Sequence, residues 1–196
     1  SDDRDEDGAS VTMRLVASDA TRRVWPREFA ATFTARLVGD EMHTSLTVRN
    51  TDATPFEFTV ALHTYFAVGD IARASVIGLE NARYLDSLDG RVEKTDSDKA
   101  VVFEREVDRI YRNTPDVLTV VDAGNDRSIV ITKTNLPDAI VWNPWVEKSL
   151  NTSDLGDLDY KSFLCVEAAA TATPVALEPG AEWTCGQVLR VVKKTK

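Results

Sequence analysis

Short segments in which apolar and polar residues alternate recur along most of the chain. Examples are "VTMRLVAS", "REFAATFTARLV" and "FEFTVALHTYFAV", followed later by "RSIVITKT" and "EWTCGQVLRVV". They are rich in β-branched and aromatic residues, are bounded by Gly, Pro, Asn and Asp, and show little of the periodicity typical of helices. The pattern therefore predicts an all-β fold of antiparallel strands in a sandwich or a curved sheet.

The same alternation places one of the two histidines of the chain. In "FEFTVALHTYF" a period of two puts Phe56, Phe58, Val60 and Leu62 on one face of a strand and His63 on the other. His63 is therefore predicted to point away from the apolar core, from the side on which a curved sheet would carry a ligand. The alternative is a hydrogen-bonded structural histidine, which is common in strands.

Composition and charge narrow the class of protein. The 196 residues predict a single domain, with a flexible acidic terminus or loop over about residues 1–10. The net charge of −9 argues against nucleic acid and anionic membranes as partners, because both require a positive field. Cys165 and Cys185 form no CxxC pair and the start shows no signal-like apolar stretch, so a cytoplasmic location is predicted.

Two carboxylates and two tryptophans are candidates for chemistry. Glu167 is the only charged residue between Leu164 and Ala176, so it is either paired, hydrogen-bonded to turn amides, or perturbed in pKa for a task. Asp108 follows "EREV" and precedes Arg109, where a structural salt bridge is the default interpretation. The tryptophans of "VWNPW" could stack on a sugar, although core packing is favoured.

Several longer strings occur together and in a fixed order: "ALHTYFAVGDI", "FEREVDRIY", "IVWNPWVEKS", "SFLCVEAA" and "VALEPGAEW". This set resembles the glucose-6-phosphate 1-epimerase group of the aldose 1-epimerase family, over about residues 11–189. The resemblance implies a galactose-mutarotase-like β-supersandwich that uses no cofactor and no metal. It also implies that His63 and Glu167 form an acid–base pair and that Asp108 holds a sugar hydroxyl.

The implied reaction interconverts the α and β anomers of an aldohexose 6-phosphate, with glucose 6-phosphate as the expected substrate. A carboxylate removes the proton of the C1 hydroxyl while an imidazolium protonates the ring oxygen. The ring opens, the C1–C2 bond rotates, and closure on the other face of the aldehyde gives the opposite anomer. Reclosure exchanges the two roles, so no net proton is consumed.

The chain departs from the family pattern at its start. Family members carry a glycine-rich "RGG" region and an arginine after an "HGF" motif, and neither string is found here. The resemblance therefore implies that the N-terminal third of the family is lacking. An exposed sheet edge would follow, through which the chain could self-associate or bind a complementing chain. Without those arginines, the candidates for an anion contact are Arg73, Arg83, Arg109 and Lys133, none of them assigned.

A second departure follows the "CVE" motif, where the family tends to have a glycine and this chain has Ala168 and Ala169. A methyl group there could crowd a bound sugar. Two alternatives to the enzyme stay open. One is a non-catalytic carbohydrate-binding β-sandwich, and the other is an inactive fragment that needs the absent strands.

Overall fold

The fold is a β-sandwich, given by a computed structural model that describes residues 2–5 and 8–193. Over these residues the chain forms sixteen strands, two short α-helices, and 3-10 turns at Ile71–Arg73 and Asp159–Lys161. The strands are β1 (Asp2–Asp5), β2 (Gly8–Val16), β3 (Phe29–Val38), β4 (Glu41–Asn50), β5 (Phe56–Leu62), β6 (Tyr65–Ala67), β7 (Ala74–Ile77), β8 (Arg83–Asp86), β9 (Val92–Thr95), β10 (Ala100–Val102), β11 (Val107–Arg112), β12 (Val117–Asp122), β13 (Arg127–Thr134), β14 (Asp138–Asn143), β15 (Phe163–Leu177) and β16 (Glu182–Lys193). The helices are α1 (Asp19–Val24) and α2 (Trp145–Leu150). The predicted all-β class is confirmed.

The strands of the described residues form two antiparallel sheets. The first sheet has the order β1-β2-β3-β4-β16-β13-β12-β7-β10. The second sheet has the order β5-β15-β14-β11-β8-β9, and β6 pairs with the first part of β15. Strand β15, with 15 residues, pairs with β5, β6 and β14 and so connects segments that are far apart in the chain.

The main core lies between the two sheets. Alternate residues of β7, β12 and β13 meet alternate residues of β11, β14 and β15, and the buried set includes Val76, Leu118, Val120, Ile131, Tyr111, Val141, Leu164 and Val166. Side chains of a strand alternate between its two faces, so the neighbours of these residues lie on the opposite face of each sheet. On the second sheet we call that opposite face the site face.

Helices were not expected, and both are fixed by local hydrogen bonds. Helix α1 begins at a capping box in which Ser18 and Thr21 each bond the other's backbone N–H. Helix α2 follows Asn143, a fully buried side chain whose Oδ1 accepts from the Trp145 N–H at 2.9 Å. The Asn143 amide nitrogen donates to the carbonyls of Tyr160 and Phe163, so the chain leaves β14 in a defined direction.

The start of the chain forms a hairpin where a flexible terminus or loop was expected. Strand β1 pairs with β2, and residues 1, 6 and 7 lie outside the described residues. The apolar row of β2, which is Val11, Met13 and Leu15, is exposed. An apolar groove of about 690 Å³ lies between β3, β4 and the edge strand β5, lined by residues that include Trp25, Phe29, Leu46 and Phe58. Among the described residues, no helix has both the length and the apolar character required to span a membrane.

Candidate active site

His63 and Glu167 meet on the site face, although more than a hundred residues separate them in the sequence. Strand β5 pairs with β15 so that Leu62, its last residue, lies opposite Ala168, and the next residue of the chain, His63, therefore comes level with Glu167. The His63 Nε2 atom lies 3.4 Å from the Glu167 Oε1 atom. The predicted side of the strand is confirmed, because Phe56 and its alternate neighbours pack into apolar clusters while His63 is exposed.

Two sets of contacts position the His63 ring: hydrogen bonds of the neighbouring Thr64, and stacking of Tyr65 on one face of the imidazole. Thr64 donates its N–H to the Leu62 carbonyl, and its hydroxyl accepts from the Gln187 amide at 2.8 Å. The Tyr65 ring stacks on the imidazole with a centroid distance of 4.9 Å and an interplanar angle of 8°. No role was predicted for Tyr65, although it is part of the "HTYF" string. Stacking of this kind limits the ring to the plane in which Nε2 points at Glu167.

Glu167 is a buried carboxylate that lacks the hydrogen bonds which usually offset the loss of water around a buried charge. Its residue is 5% exposed, because β14 and β5 flank it. Within residues 8–193 it accepts no hydrogen bond from a backbone amide, which removes the turn-amide alternative. Burial raises the pKa of the Glu167 carboxyl to about 7, and the negative charge of Asp108 adds to the increase. A carboxyl with this pKa can exchange a proton at neutral pH.

Asp108 lies on the same face, two strands away from Glu167. It is opposite Trp142 on β14, which in turn is opposite Cys165 on β15. The expected pairing with Arg109 does not form, since Arg109 points to the core side and bonds Asp96 at 3.0 Å. Asp108 instead lies 3.8 Å from the Nζ atom of Lys148, a residue to which the sequence assigned no role.

The two tryptophans of "VWNPW" have different surroundings. Trp145 packs against the main core and against Tyr160, as favoured from the sequence. Trp142 lies on the site face, edge-on to His63 at 6.0 Å and to Tyr65 at 6.1 Å. Core packing was therefore the wrong interpretation for Trp142, because Trp142 is two positions after Ile140, the residue opposite Glu167, and alternate residues of a strand share a face.

The four cationic candidates for anion binding are mostly engaged elsewhere. Arg73 donates to the Ala123 carbonyl, and Arg109 is held by Asp96. Lys133 is buried, and its Nζ donates to the Thr114 hydroxyl and to the carbonyls of Leu136 and Asp138. Arg83 lies on the site face and shares Glu93 with Arg112.

The two alanines that replace the family glycine are both buried. Ala168 packs in an apolar cluster with Leu136 and Cys185 on the side away from Glu167. Crowding of a bound sugar can therefore arise from Ala169 alone. Among the side chains described, no group of three or more His, Cys, Asp or Glu residues is arranged to hold a metal ion.

Comparison with known proteins adds the family to this geometry. A family model described as Aldose 1-epimerase matches residues 1–190. A protein of Cenchrus ciliaris named "Putative glucose-6-phosphate 1-epimerase" is 42% identical over 179 residues, which make up 89% of this chain and 54% of that protein. The chain thus spans about half the length of this curated relative.

Solved structures agree with the fold. The crystal structure of a "putative mutarotase (YeaD)" from Salmonella typhimurium matches with a TM-score of 0.90 and 30% identity, covering 99% of this chain and 64% of that one. A "galactose mutarotase related enzyme" from Lactobacillus acidophilus matches with a TM-score of 0.78 and 13% identity, covering 98% of this chain and 70% of that one. The galactose-mutarotase-like fold is confirmed. With a family match across nearly its whole length, the chain belongs to the aldose 1-epimerase family.

Proposed function

We propose that this protein interconverts the α and β anomers of an aldohexose 6-phosphate. The observation that carries the proposal is the His63–Glu167 pair, in which a buried carboxyl with a pKa of about 7 lies 3.4 Å from an exposed imidazole nitrogen. Mutarotation requires one group that accepts a proton and one that donates a proton, both near neutral pH. A pure binding site has no need of such a pair.

In the proposed mechanism Glu167 acts as the base. Its carboxylate takes the proton of the C1 hydroxyl while His63, protonated at Nε2, gives a proton to the ring oxygen. The C1–O5 bond breaks to give the open-chain aldehyde, and rotation about C1–C2 presents its other face. Reclosure returns both protons to their donors. Each positioned group contributes roughly 10²–10⁴ to the rate, which suits a reaction that proceeds slowly in water.

Asp108 and Trp142 are proposed to hold the sugar. Asp108 accepts a hydrogen bond from a hydroxyl, and the Trp142 ring offers an apolar surface for the C–H groups of the pyranose. The 6-phosphate rests on the name of the Cenchrus ciliaris relative, "Putative glucose-6-phosphate 1-epimerase". The site contacts described above assign no phosphate-binding residue.

The test is anomer exchange of glucose 6-phosphate by NMR magnetisation transfer. Purified protein should accelerate exchange, and His63→Ala and Glu167→Gln should each abolish most of the acceleration. The chain offers a matched control pair on β4 of the first sheet, since His43 Nε2 lies 2.9 Å from Glu41 Oε2. His43→Ala and Glu41→Gln should leave the rate unchanged.

Three results would contradict the proposal in whole or in part. A folded chain that does not accelerate exchange but binds the sugar favours the carbohydrate-binding alternative. Equal acceleration of glucose and glucose 6-phosphate would remove the phosphate from the proposed substrate. A rate that falls equally in the His43 and His63 variants would show a general effect on folding.

The location and the oligomeric state are part of the same proposal. Cys165 and Cys185 are both free and buried, which supports a reducing, cytoplasmic location. Self-association or binding of a complementing chain at the edge of β5 is supported by the apolar groove beside that strand. Sedimentation velocity over a range of concentrations tests it, with a constant monomer mass as the contrary result.

A further inference from the structure

We propose that Lys148 binds the sugar directly and that, with Asp108 and Glu106, it forms a subsite for two neighbouring hydroxyls of the pyranose. The inference rests on the proposed function, because it places the substrate of that reaction. It adds Lys148 and Glu106 to the site. Neither residue was among the candidates from the sequence.

The Lys148 ammonium lies in the middle of a cluster on the site face. Its Nζ atom is 3.3 Å from Glu106 Oε1 and 3.8 Å from Asp108 Oδ2. It also lies 5.8 Å from the centre of the Trp142 ring, within the range of a cation–π contact. Trp142 is the ring that meets His63 edge-on, so a single indole links Lys148 to the acid–base pair.

The cluster is open enough to admit a ligand. The side chains of Lys148, Glu106 and Asp108 are 43%, 27% and 23% exposed. An ammonium has three donors, and at 3.8 Å the contact with Asp108 is too long for a direct hydrogen bond. At least one donor of Lys148 and at least one acceptor of Asp108 are therefore available to an incoming group.

A pair of neighbouring hydroxyls complements this arrangement. Each hydroxyl both donates and accepts, so one can accept from Lys148 while its neighbour donates to Asp108 or Glu106. Hydrogen bonds to charged groups are stronger than those between neutral groups. The Trp142 ring beneath the cluster can pack on the C–H groups of the same sugar. Cation, carboxylates and aromatic ring together match the chemistry of a pyranose.

The backbone that carries Lys148 is strained in a way that a simple surface salt bridge does not require. Trp145, the first residue of α2, has a φ of 54°, which is unusual for a bulky side chain. The buried Asn143 side chain holds this turn through its bonds to Trp145, Tyr160 and Phe163. Strain of this kind is kept where the surrounding structure fixes it and is concentrated at functional sites. Here it directs α2 so that Lys148 reaches over Trp142.

The first experiment measures binding of a ligand that cannot react. 1,5-Anhydroglucitol 6-phosphate lacks the C1 hydroxyl but keeps the other hydroxyls and the phosphate, so calorimetry reports binding without turnover. Lys148→Met should weaken binding about 10–100-fold, the loss expected for a hydrogen bond to a charged group. Lys148→Arg should weaken it less, because the charge and the donors remain.

Lys161→Met is the matched control. The Lys161 Nζ atom lies 5.8 Å from the centre of the Tyr160 ring, the same distance as Lys148 from Trp142, but outside the cluster. This variant should bind the anhydro sugar as the unaltered protein does. The thermal unfolding midpoints of all variants should agree within a few degrees, which separates a lost contact from a lost fold.

The second experiment identifies the contact. Anomer exchange of the 2-deoxy and 3-deoxy analogues of glucose 6-phosphate is compared in the unaltered protein and in Lys148→Met. Removal of the contacted hydroxyl should lower kcat/KM in the unaltered protein and have little further effect in the variant. Equal penalties in both proteins, or binding of the anhydro sugar within twofold in Lys148→Met, would overturn the inference. The proposed function fails separately, by the absence of exchange with glucose 6-phosphate itself.

Discussion

Two buried carboxylates on the site face have opposite surroundings. Asp138, at the start of β14, is 1% exposed, and its Oδ2 atom accepts from the N–H groups of Thr171 and Ala172 at 2.8 and 2.7 Å. Its Oδ1 atom accepts from the Asn113 N–H at 3.2 Å. Glu167 lies two residue pairs further along β14 and β15. It is 5% exposed, and among the described residues its one close polar partner is the imidazole of His63.

The difference separates a structural carboxylate from one that is available for chemistry. Backbone amides compensate Asp138 for its loss of water, and they hold the irregular part of β15 where the pairing with β5 shifts. Glu167 lacks such donors, so burial raises the pKa of its carboxyl. Burial alone therefore does not mark a functional acid in this fold. The number of backbone donors around it does.

The largest expected effect is on catalysis at Glu167. Glu167→Gln should lower the acceleration of anomer exchange about 10²–10⁴-fold, because the amide cannot accept the C1 proton. Asp138→Asn should leave the rate per folded molecule within a few-fold of the unaltered protein. NMR exchange measured on samples of known folded fraction checks both, and similar losses in the two variants would erase the distinction.

The next largest effect is on the stability of the fold, where the change at Asp138 should matter more than the change at Glu167. Asp138→Asn replaces an acceptor of three close donors with an amide nitrogen at one position, and it should destabilise the fold by about 3 kcal/mol. Glu167→Gln should not destabilise it at pH 7. Urea unfolding followed by circular dichroism measures the free energy of unfolding for each. A stable Asp138→Asn variant would show that these bonds are dispensable.

The smallest effect is the dependence of stability on pH. The pKa of Glu167 rises on folding from the ordinary value near 4.5 to about 7, so between these values the folded state binds more protons than the unfolded state. The free energy of unfolding from this group is therefore largest below about pH 4.5 and falls by about 1–3 kcal/mol as the pH rises to 7. Urea unfolding at several pH values should show this decline.

Glu167→Gln is the control for that decline. The variant should not show the fall in the free energy of unfolding that comes from Glu167. Its stability should therefore exceed that of the unaltered protein at pH 7.5 and approach it at pH 4.5. An unchanged difference between the two proteins across this range would mean that Glu167 titrates normally.

The sequence was sufficient for those features that depend on local pattern. Alternation along "FEFTVALHTYF" gave the correct face for His63, and the density of β-branched residues gave the correct class of fold. The family resemblance named His63 and Glu167 together. Their contact depends on the pairing of Leu62 with Ala168, a register between distant strands that the spacing in the chain does not specify.

Other features depended on packing across elements. Lys148 lies within the "IVWNPWVEKS" string, but its proposed role depends on its place over the Trp142 ring, which follows from the turn at Asn143 and not from the string itself. The partner of Arg109 could not be read from the adjacent Asp108, because neighbouring residues of a strand point to opposite faces. The capping box of Ser18 and Thr21 is a local signal for α1 that the alternation of apolar and polar residues does not contain.

The edge-on contact between Trp142 and His63 allows the candidate site to be followed by tryptophan fluorescence. A protonated imidazole quenches indole fluorescence more strongly than a neutral one, and the ring centroids are 6.0 Å apart. Among the described residues, Trp142 is the one tryptophan whose ring contacts His63, while Trp25, Trp145 and Trp183 pack in apolar clusters. A chain that keeps Trp142 alone would therefore report the charge of the imidazole through its emission intensity, and would follow the arrival of a sugar in real time without a label.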